Sequence, residues 1–301
     1  MKRMTFLLLF LVVLITGCSG RDTANSSDTS GAAGSQEDIL VVQQGTGESG
    51  QNSEEVTGNI GEENQEESKL NKETEHFRIY CTEKDKDCLE DLGKGLESAY
   101  YKVTKDLDCP LDYKVDVTVY PDIKSLQQAV GLGGTGADDY MTAATIGKRM
   151  HLVSPLNPGP VRDYDHMVNS STFHEFTHVV INELTSSDTW PSQVPRWLNE
   201  GVASYEGGPP MPVYIMKQQV AARVSAGSVP SFEEMAGYGG EYNAVGGYFF
   251  ILPAGTFFIE KYGFEKVKQL ILSPDRFQDI LGKSEQELWE DWLEYLKKNY
   301  T

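Results

Sequence analysis

Met167-Val168-Asn169-Ser170-Ser171-Thr172-Phe173-His174-Glu175-Phe176-Thr177-His178-Val179-Val180-Ile181-Asn182-Glu183-Leu184 decides how the rest of this chain is read. Its apolar residues recur at helical spacing, with Phe173, Phe176, Val180 and Leu184 on one tight stripe, so the stretch reads as an amphipathic helix. His174 and His178 sit one turn apart and about 40° apart around the axis, roughly 130° from the centre of that stripe. Two imidazoles placed in this way can converge on one ion, and Glu175 between them stands beside the ion rather than on it. Core histidines would lie within the apolar stripe, and merely solvated ones would have no reason to bracket a glutamate.

A catalytic zinc takes three protein ligands and a water, so a third donor is sought downstream. Glycine and histidine at positions 181 and 184 would complete the extended H-E-x-x-H-x-x-G-x-x-H pattern of the metzincins, but Ile181 and Leu184 stand there. The next candidate is Glu200, in Pro195-Arg196-Trp197-Leu198-Asn199-Glu200-Gly201-Val202-Ala203.

H-E-x-x-H followed by W-L-x-E-G-x-A resembles the gluzincin metallopeptidases, in particular the peptidase MA-like domains. The resemblance runs roughly from His76 to Tyr300, and only these two motifs in it are specific. It implies an α+β, zincin-like fold, with a small mixed β-sheet and helices followed by a mainly helical half that completes the metal site. It implies one Zn2+ held by His174, His178 and Glu200, with Glu175 as general base in the hydrolysis of peptide bonds. Gluzincins of this kind often supply an oxyanion donor from a tyrosine on a later helix. In Glu241-Tyr242-Asn243-Ala244-Val245-Gly246-Gly247-Tyr248-Phe249-Phe250, Tyr248 has the better register and Tyr242 is the reserve, while Pro253 is expected to kink that helix. Zincins also lay an extended substrate antiparallel along an edge strand, a role that falls here to the hairpin Thr142 to Val153. Two departures stand out. No G-x-M-E-N stretch is present, which favours endopeptidase over aminopeptidase action, and Ser204 occupies the place where some gluzincins put an orienting aspartate.

Around this centre, Phe77-Arg78-Ile79-Tyr80 and Tyr113 to Tyr120 alternate as strands, and Leu89, Leu92, Leu96 and Tyr100 mark a helix between them over Cys88 to Leu107. A short helix follows from Ile123 to Val130. Past the Gly-rich stretch Gly131 to Gly136, Thr142 to Ile146 and Arg149 to Val153 form a hairpin through Gly147-Lys148. Beyond Asp165 the pattern is mainly helical, ending in Glu285 to Tyr300 with Leu288, Trp292 and Leu296 on one stripe. No internal repeat appears. The domain therefore reads as 76–301, divided into a sheet-and-helix half, 76–184, and a helical half, 185–301.

At the N-terminus, Met1-Lys2-Arg3 precedes an apolar run from Phe6 to Ile15 that is too short to span a bilayer. Ile15-Thr16-Gly17-Cys18 resembles the lipobox of bacterial lipoproteins. That implies lipidation at Cys18, membrane anchoring through the lipid, and residence on the extracytoplasmic face of a bacterium. From Ser19 to about Glu75 the chain is rich in Ser, Gly, Gln, Asn and Glu, with few aliphatics and no aromatic residue, too polar to order itself, and reads as a flexible acidic tether. Of the remaining cysteines, Cys81 and Cys88 are the preferred disulfide pair in an oxidising compartment, with either bridge to Cys109 open.

Acidic residues outnumber basic ones by 45 to 26, for a formal net charge of -19. Electrostatic tracking of a polyanionic backbone is therefore disfavoured, and nucleic acid is not expected as a partner. The expected partners are a protein or peptide substrate and the membrane, with the chain a monomer. His76, His151 and His166 read as packing or surface residues. A second functional class, a binding lipoprotein that retains the fold without catalysis, is disfavoured by Glu175, since holding zinc alone needs no base.

Overall fold

The computed structural model describes residues 68–132, 141–187, 193–209, 211–238 and 240–301, all within the unit Glu62–Thr301. The leader with Cys18, the tether up to residue 67, Gly133 to Gly136, and Trp190 and Pro191 lie outside the described residues.

Alternation builds the sheet. Strand β2, Phe77–Cys81, turns Phe77, Ile79 and Cys81 into the core, and β3, Val115–Tyr120, does the same with Val115, Val117 and Val119. The two are parallel, joined through helix α1, Leu89–Asp106. After helix α2, Ile123–Ala129, strands β4, Ala143–Ile146, and β5, Arg149–Val153, close as the expected hairpin, with Gly147 taking a φ of 56° at its turn. A two-residue hairpin of this kind needs positive φ at its first central position, which glycine adopts without cost. Strand β5 runs parallel to β3, which leaves β4 at the sheet's edge.

The opposite edge departs from the sequence reading. Lys69–Glu73 forms β1, antiparallel to β2 and inside the stretch assigned to the tether. Its sequence, Lys69-Leu70-Asn71-Lys72-Glu73, is polar, and Leu70 is exposed. Main-chain pairing recruits this strand rather than burial, and polar edge strands carry no hydrophobic pattern to announce them. The sheet order is β1-β2-β3-β5-β4, mixed in direction.

One face of the sheet packs against α1 and against α3, Thr172–Thr185. Helix α3 is preceded by a single π-helical stretch, His166–Ser171. It is also more enclosed than its apolar stripe suggests: Val179 and Ile181 are as buried as Phe176 and Val180. The sheet, α1 and a second helical layer surround it, so residues off the stripe are covered as well.

That layer comprises α4, Arg196–Gly207; α5, Val213–Ala226; α6, Gly240–Ala244; α7, Ile251–Leu272; α8, Phe277–Leu281; and α9, Glu285–Tyr300. Nine helices and a five-stranded mixed sheet thus make up an α+β fold among the described residues. Helix α9 begins at a capping box, Ser284 with Glu287, and buries Leu288, Trp292 and Leu296 completely, the same three residues its periodicity marked. Trp197 of α4 lies against Phe232, Phe258 and Phe277.

Helices α4 and α7 cross backbone to backbone. A Cβ on Gly201 would stand 3.0 Å from Gly255 N, and one on Gly255 would overlap the Gly201 carbonyl. Only glycines permit so close an approach. The break in α7 falls at Gly263, φ 78° and ψ 162°, and not at Pro253. Pro253 occupies the first turn of α7, where no intrahelical N–H bond is due, so its ring is accommodated there without a kink.

Cys81, Cys88 and Cys109 are all buried, free thiols, so the preferred Cys81–Cys88 bridge is not formed. Cys88 Sγ instead donates to the Asp85 carbonyl at 3.0 Å, turned back into its own 3-10 turn, Glu83–Cys88. Burial, reinforced by Asp85, pushes the Cys81 thiol up to about 11 and the Cys88 thiol up to about 12. No helix among the described residues is long and apolar enough to cross a membrane.

Candidate metal centre

Helix α3 supplies two donors and α4 a third. His174 Nε2 and His178 Nε2 are 3.2 Å apart, and Glu200 Oε2 lies 3.4 Å from the first and 3.8 Å from the second. Two nitrogens and one oxygen at about 2.0–2.1 Å from a tetrahedral zinc would be separated by roughly 3.3–3.4 Å. The three donor atoms span that value, so the set fits one such ion without rearrangement of the helices.

The centre depends on a second close approach. A Cβ on Gly207, the last residue of α4, would stand 2.6 Å from His174 N and 2.5 Å from Ser170 O. A glycine here lets the end of α4 rest directly on the start of α3, bringing the helix that carries Glu200 up to the two histidines. Lys102 of α1 pairs with the buried Glu206 at the same end of α4.

Hydrogen bonds fix the rings and the carboxylates. His178 Nδ1 donates to Asn199 Oδ1 at 2.9 Å, which leaves the Nε2 lone pair facing the other two donors. Asn199 is oriented in turn by donating from Nδ2 to the Tyr238 hydroxyl at 3.1 Å. Burial pushes the Glu200 carboxyl up, but the hydrogen bond from His174 and the charges of His178, His174 and Arg196 outweigh it and hold the group at about 2. Burial pulls the His174 imidazole down, while the Glu200 hydrogen bond and the Glu175 and Glu200 charges leave it raised overall.

Glu175 stands next to the centre, as its place between the histidines requires, and is buried. Thr145 of the edge strand donates to Glu175 Oε2 at 2.8 Å and also lies 3.0 Å from the Glu175 carbonyl. Asn182 of α3 donates to the Gly147 carbonyl at 2.7 Å, tying the hairpin turn to the same helix. With Val153 N donating to Thr142 O at 2.9 Å, antiparallel alternation turns the N–H and C=O groups of Ala143 and Thr145 away from β5 and toward the open edge.

The tyrosines fall differently. Tyr248 sits on a 3-10 turn, Gly247–Phe249, ahead of α7 rather than on a helix. It is partly exposed, and its hydroxyl accepts from Arg196. Tyr242 is only 2% exposed, its hydroxyl has no hydrogen-bond partner, and its ring lies 4.0 Å from the Arg196 guanidinium. Arg196 also faces Tyr238 and Tyr248, at 5.0 and 4.6 Å. Burial pushes the Tyr238 hydroxyl up to about 12. Ser204 is fully buried with an unpartnered hydroxyl and touches neither histidine ring by a hydrogen bond, whereas Asn199 bonds His178 Nδ1. Asn199 and Thr145 are the residues the motifs did not mark. Asn199 had a local signal, as a polar side chain directly before Glu200, whereas Thr145 becomes visible only when the hairpin folds over α3.

The other histidines lie apart from the centre or beside it. His151 bonds the Tyr120 hydroxyl at 2.9 Å and stacks on that ring. His76 bonds Glu97 at 2.7 Å, stacks on Tyr100 and forms a second His/Glu group with Glu75 and Glu97. Since His76 N also donates to Glu97 at 2.9 Å, this group fastens the start of β2 to α1. His166 lines a pocket next to His174.

A scan against protein-family profiles finds no match for the chain, and a search among curated proteins finds none.

Proposed function

We propose that this chain is a zinc-dependent endopeptidase of the gluzincin type, with a zincin-like fold, tethered to the extracytoplasmic face of a bacterial membrane by a lipid at Cys18. One observation carries the catalytic part: the convergence of His174, His178 and Glu200 donor atoms within 4.8 Å of one another, with Glu175 alongside. The anchoring part rests on Met1 to Cys18 alone.

His174, His178 and Glu200 would hold the ion, which at such a site acidifies water and polarises a carbonyl. Asn199 keeps His178 in the tautomer whose Nε2 can ligate. Glu175 takes a proton from the attacking water as its oxygen bonds to the carbonyl carbon, then delivers that proton to the amine nitrogen as the C–N bond breaks. Thr145 holds the Glu175 carboxylate in place during both transfers. Tyr248 donates to the oxygen of the tetrahedral intermediate, and acceptance of a hydrogen bond from Arg196 makes its hydroxyl a stronger donor. The outward main-chain groups of Ala143 and Thr145 pair with an extended substrate along β4.

Digestion of a broad peptide library tests this reading. Internal cleavage that stops with chelator, returns with zinc, and is lost in Glu175→Gln while zinc is retained is the expected result. Zinc-loaded protein that captures a peptide but cleaves none would move the chain to the non-catalytic binding class.

A further inference from the structure

A pocket of about 130 Å³ opens beside the metal centre. Met141–Ala143 at the start of β4 form one wall, and Arg162 and His166 form another, ahead of α3. His174 and Glu175 line its inner end, whereas His178 and Glu200 do not reach it, so the pocket lies on the Glu175 side of the centre.

Two independent directions agree on which part of a substrate would enter. A peptide added antiparallel to β4 runs its C-terminal half toward the N-terminal end of that strand, where Met141–Ala143 make the wall. The group that protonates the leaving amine must stand on the leaving side of the scissile bond, and Glu175 lines this same pocket. Resting on the peptidase reading above, we propose that the pocket receives the residue immediately C-terminal to the scissile bond and selects a carboxylate there through Arg162.

The guanidinium is a planar fork of five N–H donors whose geometry matches a carboxylate, so Arg162 can hold one in addition to its structural partners. Its Nη1 donates to the Val161 carbonyl at 3.3 Å, which anchors it to its own loop. Its charge is felt at both His166 and His174. His166 stands beside Arg162 on the same wall of the pocket. Among the described lining residues Arg162 is the one guanidinium and Glu175 the one carboxylate, in a chain whose net charge is -19. The carboxylate can be an Asp or Glu side chain within a longer substrate, or the free terminus of a substrate that ends at this position.

The test is a series of peptides that differ only after the scissile bond: Asp, Asn, Ala with a free terminus, and Ala amide. Relative kcat/KM and cleavage positions are measured with wild type, Arg162→Gln and Arg162→Lys. A carboxylate held by a charge-assisted bond should be favoured roughly tenfold to a hundredfold over its neutral counterpart. A high Asp-to-Asn ratio identifies the side chain, and a high acid-to-amide ratio for Ala identifies the terminus. Arg162→Gln should bring the ratio close to one, and Arg162→Lys, which keeps the charge without the fork, should lower it without abolishing it. Equal rates for acid and neutral members in wild type, or a preference that survives Arg162→Gln, overturn this proposal and leave the peptidase reading standing. Failure of zinc-loaded wild type to cleave any member overturns both.

Discussion

Gly207→Ala probes the packing on which the metal centre rests. The added Cβ would meet Ser170 O at 2.5 Å, His174 N at 2.6 Å and His174 Cβ at 2.8 Å. Backbone atoms and a Cβ have no rotamer to move into, so relief requires the helices to separate. Opening the contact with His174 N to an ordinary separation near 3.4 Å takes about 0.8 Å of movement. Helix α4 is pinned on α7 at Gly201 and Gly255, so the displacement falls on the start of α3, which carries His174. Metal sites tolerate about 0.2 Å in their ligand distances. The substitution should therefore weaken zinc binding about 10- to 100-fold, in the range seen when the shell around metal ligands is disturbed. It should also cost about 1–3 kcal/mol of stability, as overpacking does. Competition with a chromophoric chelator reads the affinity, and urea unfolding of the metal-free protein reads the stability. Zinc affinity and a urea midpoint both equal to wild type would refute the reasoning.

Other perturbations separate the remaining parts. Asn199→Ala leaves His178 Nδ1–H buried without its acceptor, so zinc affinity should fall about 10- to 100-fold with the fold retained, read by the same competition assay. Thr145→Val removes the donor to Glu175 and should lower kcat about tenfold while zinc stoichiometry stays unchanged, measured by steady-state kinetics beside metal analysis. Glu97→Gln tests the His76 fastening through pH. Burial pushes the Glu97 carboxyl up, but hydrogen bonds from His76 and Thr74 outweigh it and leave it below its ordinary 4.5. A lowered carboxyl adds stability above pH 4.5 that is lost as pH falls through the folded-state value. The urea midpoint of Glu97→Gln should accordingly lie below wild type at pH 7, with the gap closing as pH falls below 4.5 and through the folded-state value.

Local periodicity and punctuation made much of this fold legible. Leu288, Trp292 and Leu296 marked α9, Gly147-Lys148 marked the β4–β5 turn, and His174 to His178 marked a helix with two donors on one side. What stayed hidden depends on partners remote in sequence. The polar strand β1 is held by main-chain bonds to β2, so no side-chain pattern betrays it. Thr145 and Glu175 are thirty residues apart and meet where the hairpin packs on α3, with Asn182 tying the hairpin turn to the same helix. Gly207 reads as the end of a helix in sequence, and its second role, admitting His174 to close contact, appears only when two helices meet. Pro253 is ambiguous in sequence for a related reason: a proline breaks a helix interior but suits a first turn, and which of these it occupies depends on where the helix starts. Helical register points to Tyr248, yet that residue stands on a separate turn before α7, with its hydroxyl bonded by Arg196.

The claim on which the account turns is that two imidazoles and one carboxylate hold a single ion. Metal analysis of zinc-equilibrated, gel-filtered protein, set beside His178→Ala and Glu200→Ala with their circular dichroism intact, tests it most directly. One zinc per folded wild-type chain, with loss from both variants, is the expected result. Wild-type protein that retains no metal, or a Glu200→Ala variant that binds zinc as tightly as wild type, would contradict it.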